Sequence, residues 1–147
     1  MKNKNSKTSL NIASVQMHIT QDQKTNLKTM EEYLQHIQNT FPQIDMVVFP
    51  ELCAMNVGKS MDNDAEEIPG VLTSIFSNWA KKYKLWIIPG SMYERSNNKI
   101  YNTSVIYSPN GELIGHYRKR YPWRPYEKTS SGSKSLVFNV DGIGNVG

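Results

Sequence analysis

The spacing of apolar residues divides the chain into alternating strand-like and helix-like segments. Residues 10–17 alternate and are β-branched in part, which predicts a first strand. Between 26 and 41, Leu27, Met30, Leu34, Ile37 and Phe41 recur at steps of three and four, one apolar stripe on an amphipathic helix that Pro42 ends. Residues 44–50 (IDMVVFP) form a continuous apolar run, the pattern of a strand covered on both faces. The polar, glycine-bearing stretch 56–64 reads as a loop. A second helix carries Val71, Leu72, Ile75, Phe76, Trp79 and Tyr83 on one side, and 85–90 (LWIIPG) is another buried strand. Residues 92–95 and 100–107 flank 96–99 as a hairpin, and Asn110-Gly111 signals a turn before a strand over 112–119. The segment 121–133, with two prolines and several serines, reads as an irregular loop, and 135–140 returns as a strand.

This order, β-α-β-α-β followed by hairpins, predicts an α/β fold with a largely buried mixed sheet and helices on one face. A flexible leader over 1–9 precedes one domain over 10–147, with no repeat or linker. Residues 144–147 look like the approach to another strand, and a sheet ending there would expose an edge.

Composition narrows the class. With 147 residues, 38% apolar and 20% charged, the chain belongs with folded globular domains. Its net charge of +4 owes much to Lys2, Lys4 and Lys7 in the leader, while Lys81, Lys82 and Lys84 sit where a helix ends and suit its dipole. A nucleic-acid face needs basic and aromatic residues interleaved on one surface; only 117–128 resembles that, and no nucleic-acid partner is expected. Cys53 is the single cysteine, so no internal disulfide can form and a reducing compartment is the simple reading. No secretory signal and no membrane-length apolar run is present, so the expected location is cytoplasmic.

Three residues draw chemical interest. Glu51 follows Val47-Val48-Phe49-Pro50, at the carboxyl end of a buried strand, where ligands bind in α/β sheets. Apolar surroundings would raise its proton affinity toward that of a general base; equally, it could cap a loop amide or reach solvent. Lys119 ends the 112–118 strand; a fixed ammonium can hold a developing oxyanion, although Arg118, Lys119 and Arg120 also read as a solvated run. Glu127 lies in Pro122-Trp123-Arg124-Pro125-Tyr126-Glu127 and alone reads as a loop carboxylate. Cys53, two residues after Glu51, would share its side along an extended strand, yet a base and nucleophile on one short segment cannot converge on a carbonyl between them. It reads as a small buried or half-buried filler. His18, His36 and His116 have no metal-ligand spacing, and no metal is expected.

Taken together, Val48-Phe49-Pro50-Glu51-Leu52, Tyr117-Arg118-Lys119 and Pro-Trp-x-Pro-x-Glu resemble the nitrilase superfamily of carbon–nitrogen hydrolases, most closely its aliphatic amidase and formamidase branch. Ala13–Gln16 (Ala-x-Val-Gln) and Asn102-Thr103 belong to the same ordered set, which covers nearly all of the chain from Leu10. The resemblance implies half of a four-layer αββα sandwich and a Glu–Lys–Cys triad without cofactor. Glu51 would be the general base, Lys119 the oxyanion stabiliser, and Glu127 an additional glutamate positioning substrate and lysine. The family's nucleophile follows a strand reading roughly Gly-x-x-Ile-Cys. Val146-Gly147 would begin that strand, so the cysteine is expected beyond residue 147. The implied substrate is a small non-peptide amide or nitrile, and the implied assembly a homo-oligomer. The rival expectation is a truncated fragment or pseudoenzyme that folds or binds without turnover.

Overall fold

The computed structural model describes residues 9–56, 58 and 60–147; apart from residue 9, the expected leader lies outside them. Among the described residues, the main sheet has six strands. β1 (Ile12–Ser14), β2 (Met46–Val48) and β3 (Trp86–Ile88) run parallel, with Val47 beside both Ala13 and Ile87. β4 (Met92–Ser96), β5 (Lys99–Tyr107) and β6 (Leu113–Arg118) form an antiparallel meander, joined to the parallel part where Tyr107 pairs with Ile87. Asn97 and Asn98 both adopt positive φ in the two-residue turn between β4 and β5, the conformation a tight hairpin requires.

Two long helices cover one face, as the apolar stripes require. α1 (Gln23–Thr40) starts three residues earlier than its stripe, because the Asp22 carboxylate accepts from Thr25 N at 2.8 Å and caps it. Met30, Leu34 and Ile37 of α1 meet Leu72, Phe76, Trp79 and Tyr83 of α3 (Val71–Tyr83) over Val47, Ile87, Val105 and Tyr107 of the sheet. Val71 departs from its expected place: at the first turn of α3 it is 74% exposed, turned away from the packed stripe. The stretch expected as a loop over 56–64 contains one helical turn, α2 (Met61–Asp64).

The other face is built differently. Met46, Val48, Trp86, Ile88 and Ile106 point away from the helices and meet β7 (Phe138–Val140), with Trp86 and Phe138 rings 5.5 Å apart. β7 does not join the main sheet. It pairs with β8 (Gly144–Val146), so the segment expected as the start of an open strand is the return arm of a separate hairpin. The apolar second face therefore meets this hairpin at one end, and next to it lies an open cleft of about 280 Å³. Among the described residues, no helix is long and apolar enough to cross a membrane.

The contrast between Phe76 and Val71 is measurable. Phe76→Ala should cost about 3–5 kcal/mol in urea unfolding, because a fully buried ring leaves a cavity, whereas Val71→Ala should change stability by less than about 0.5 kcal/mol. Similar losses at both positions would mean that the helix packs on another face.

Candidate active site

The chain leaves β2 through Phe49, whose N–H donates to Ile88 O at 2.9 Å, and then reverses. Leu52 takes a positive φ of 54°, and Cys53 N and Met55 N donate back to Pro50 O and Leu52 O. The reversal packs against the exit of β3 so closely that a side chain at Gly90 would place its Cβ 1.9 Å from Pro50 O. Buried Asn26 fixes the far end of the turn: its amide donates to Met55 O at 3.0 Å and Thr20 O at 2.9 Å, and its oxygen accepts from Thr20 N and Oγ1.

The turn sends Glu51 and Cys53 in opposite directions. Glu51 enters the cleft with its side chain 54% exposed, so the desolvating surroundings expected from the apolar run before it are absent. Cys53 is fully buried toward α1, its sulfur 3.7 Å from Met30 Sδ and 3.6 Å from Pro89 O. Burial pushes its thiol pKa up to about 12, which leaves almost no thiolate at neutral pH. The two residues do not share a side, because the segment is a turn and not the extended strand that such sharing needs.

Strand alternation brings the second group to the cleft. Thr103 pairs with Arg118, and the next pair out has Lys119 N donating to Asn102 O at 2.8 Å. Asn102 and Lys119 therefore project from the face opposite Thr103 and Arg118. Asn102 Nδ2 donates to Glu51 Oε1 at 2.6 Å, and Lys119 Nζ donates to the same oxygen at 2.9 Å. The ammonium also donates to Glu127 Oε1 at 2.6 Å. Glu127 is carried there by the 121–133 loop, where Glu127 N donates to Trp123 O and the Arg124 guanidinium donates to the carbonyls of Glu127 and Thr129. Only 26% of the Glu127 side chain is exposed, so the loop tucks in a carboxylate that its motif alone would leave in solvent.

One ammonium between two carboxylates is strongly held as a cation. The hydrogen bond to Glu127, then that to Glu51, raises the Lys119 pKa above its ordinary value. A carboxylate with an open face beside a fixed donor can take up a proton while the donor stabilises an anion. Val48 and Ile88 supply the apolar floor, and Ser104 and Tyr117 stand beside Lys119. Sequence reading placed Asn102 in a motif without a role; its role follows from alternation along β5 once the β5–β6 register is known. The histidines lie elsewhere, His116 opposite Val105 on β6 and His36 beside Phe41 at the end of α1. Among the described residues, no group of three or more His, Cys, Asp or Glu could hold a metal ion.

The sequence pattern of the family described as Carbon-nitrogen hydrolase matches residues 11–146. Formamidase of Helicobacter acinonychis is 30% identical over 129 residues, which are 84% of this chain and 38% of that protein. An omega-amidase of Danio rerio is 30% identical over 109 residues, 74% of this chain and 39% of that protein. A Saccharomyces cerevisiae member of branch 10 of the nitrilase superfamily superposes with a TM-score of 0.79 at 25% identity, over 92% of this chain and 53% of its own. The chain thus spans less than half the length of these curated relatives and about half that of the solved structure.

Two outcomes follow from this geometry. Cys53 in the folded chain should react with a thiol reagent at least about a hundredfold more slowly than after denaturation, since both burial and the raised pKa suppress the thiolate; comparable rates would mean that the thiol is open. Lys119 gains its partners on folding, so its folded pKa exceeds the unfolded value of about 10.4. The stability it contributes is complete below about pH 10 and is lost as pH rises through the folded pKa. The excess stability of the native chain over Lys119→Met should therefore shrink as the pH rises above about 10 in thermal melts; a difference that grows there would contradict the pairing.

Proposed function

The chain belongs to the carbon–nitrogen hydrolase family, and from that premise we propose that it carries the base and the oxyanion donor of an amidase acting on a small non-peptide amide or nitrile. The observation that carries the reading is Lys119 Nζ, 2.9 Å from the open carboxylate of Glu51 and 2.6 Å from the tucked carboxylate of Glu127. The names of the relatives, formamidase and omega-amidase, support an amide substrate. A cleft of about 280 Å³ favours a small one.

In this reading Glu51 takes the proton of a cysteine thiol, and the thiolate attacks the substrate carbon. For an amide, the carbonyl oxygen becomes an oxyanion that accepts a hydrogen bond from the Lys119 ammonium. The tetrahedral intermediate collapses, Glu51 returns its proton to the leaving nitrogen, and ammonia departs to leave a thioester. Water then attacks with Glu51 again as base, which frees the acid and restores the thiol. Glu127 keeps the lysine charged and aimed, and Asn102 orients the Glu51 oxygen it shares with Lys119. Cys53 does not fit the role of nucleophile, being buried on the helix side of its turn. It is also the single cysteine of these residues, so the reading assigns the nucleophile to a part of the protein outside them. The same burial favours a second reading for these residues taken alone, a unit that folds or binds without turnover.

Ammonia release from formamide discriminates. The chain alone should match a Cys53→Ala control, and turnover above that control would make Cys53 the nucleophile. In a form extended to include a cysteine strand, turnover should appear, and Glu51→Gln should lower kcat by about 10²–10⁴-fold. Full activity in that variant would end the assignment of Glu51 as base.

A further inference from the structure

On the face of the sheet opposite the cleft, β4, β5 and β6 share a buried charge cluster. Glu94 of β4 is 3% exposed and accepts from Arg118 Nε at 2.8 Å and a terminal guanidinium nitrogen at 2.5 Å. Thr103 of β5 adds a third donor, Oγ1 to Glu94 Oε2 at 2.6 Å, and the guanidinium lies 4.1 Å over the Tyr101 ring. Burial opposes the charge on Glu94, but the bonds from Arg118 and Thr103 outweigh it and hold the carboxyl below its ordinary pKa.

We propose that the Glu94–Arg118 pair is a positioning device for Lys119, fixing the end of β6 against β4 across β5 and so setting where the ammonium stands between Glu51 and Glu127. The inference rests on the reading of Lys119 as oxyanion donor. Arg118 is the last residue of β6, and Lys119 follows it at the point where regular pairing ends. A guanidinium bound through two nitrogens and stacked on a ring cannot swivel, so the backbone leaving it is aimed. The loop bearing Glu127 takes its reference from the same residue. Gly132 N donates to Lys119 O at 2.9 Å, and a Cβ at Gly132 would fall 2.2 Å from Arg118 O, a closeness open to glycine alone. The end of the loop that carries Glu127 is thus seated against Arg118 and Lys119. Stability alone is a weak reason for a buried ion pair, since apolar residues of similar volume often serve as well. The fork supplies direction, which apolar packing does not.

The test reads the Lys119 ammonium directly by ¹⁵N–¹H NMR of lysine side chains in the 147-residue chain, with Lys119→Met assigning the signal. Arg118→Lys keeps the charge but removes the fork, and Glu94→Gln keeps the shape but weakens the acceptor. In both, the amides of Val105 and Ile106 should keep their exchange protection, while the Lys119 ammonium protons exchange with water at least about tenfold faster. A Lys119 signal unchanged in either variant overturns the proposal. Loss of Val105 and Ile106 protection in both variants also overturns it, because the pair is then a support of the whole sheet. Neither outcome touches the assignment of Glu51 as base, which depends on ammonia release alone.

Discussion

The Lys119 ammonium joins two carboxylates that lie far apart in the chain. Glu51 lies 68 residues before it, on the turn after β2, and Glu127 lies 8 residues after it, in the loop that follows β6. Two carboxylates at such close quarters repel unless a cation stands between them. Asn102 adds a neutral donor to the oxygen of Glu51 that the lysine also holds, which orients the carboxylate without adding charge. These groups are only partly withdrawn from water, and contacts of this kind contribute modestly to folding. Their importance is geometric: a carboxylate and an ammonium are fixed side by side beyond the carboxyl end of β2.

The two faces of the sheet are built from different residues. Toward the helices it presents Val47, Ile87, Val105 and Tyr107, which pack with Met30, Leu34, Phe76 and Trp79 in a continuous core. Toward the cleft the parallel strands present Val48 and Ile88, and the meander presents Asn102, Ser104 and Lys119. The pleat assigns neighbours to opposite faces, so Thr103 and Arg118 can be locked to Glu94 while Asn102 and Lys119, one residue away, meet Glu51. A slip of one residue in the β5–β6 register would exchange the two sets and bury the lysine.

Much of this was legible in the sequence. The apolar steps of three and four produced both long helices, the continuous runs produced the parallel strands, and Asn110-Gly111 produced its turn. These patterns are local, and burial enforces them wherever the chain goes. The misses share a cause. Val71 fits the apolar stripe by spacing but, as the first residue of α3, is turned to solvent while Leu72 beside it is buried. The strand expected over 135–140 is present as β7, but 144–147, read as the approach to another strand of the sheet, is β8 and pairs with β7; the local pattern is the same and the partner is not a local property.

For the site, the sequence determined which residues had suitable chemistry: a carboxylate at the end of an apolar strand, a lysine at the end of another, and a glutamate in a proline-rich loop. It also determined the family, through the order in which those segments follow one another. Only the tertiary structure decided that one lysine nitrogen reaches both carboxylates, and that Glu51 is open where its neighbours suggested burial. It likewise decided that Cys53, two residues from Glu51, faces the core and not the cleft. The reason lies in long-range geometry. A positive φ at Leu52 reverses the chain against Gly90, and the pairing of Thr103 with Arg118 selects the face on which Lys119 emerges. Each of these depends on a strand distant in sequence, and no pattern of neighbouring residues encodes it.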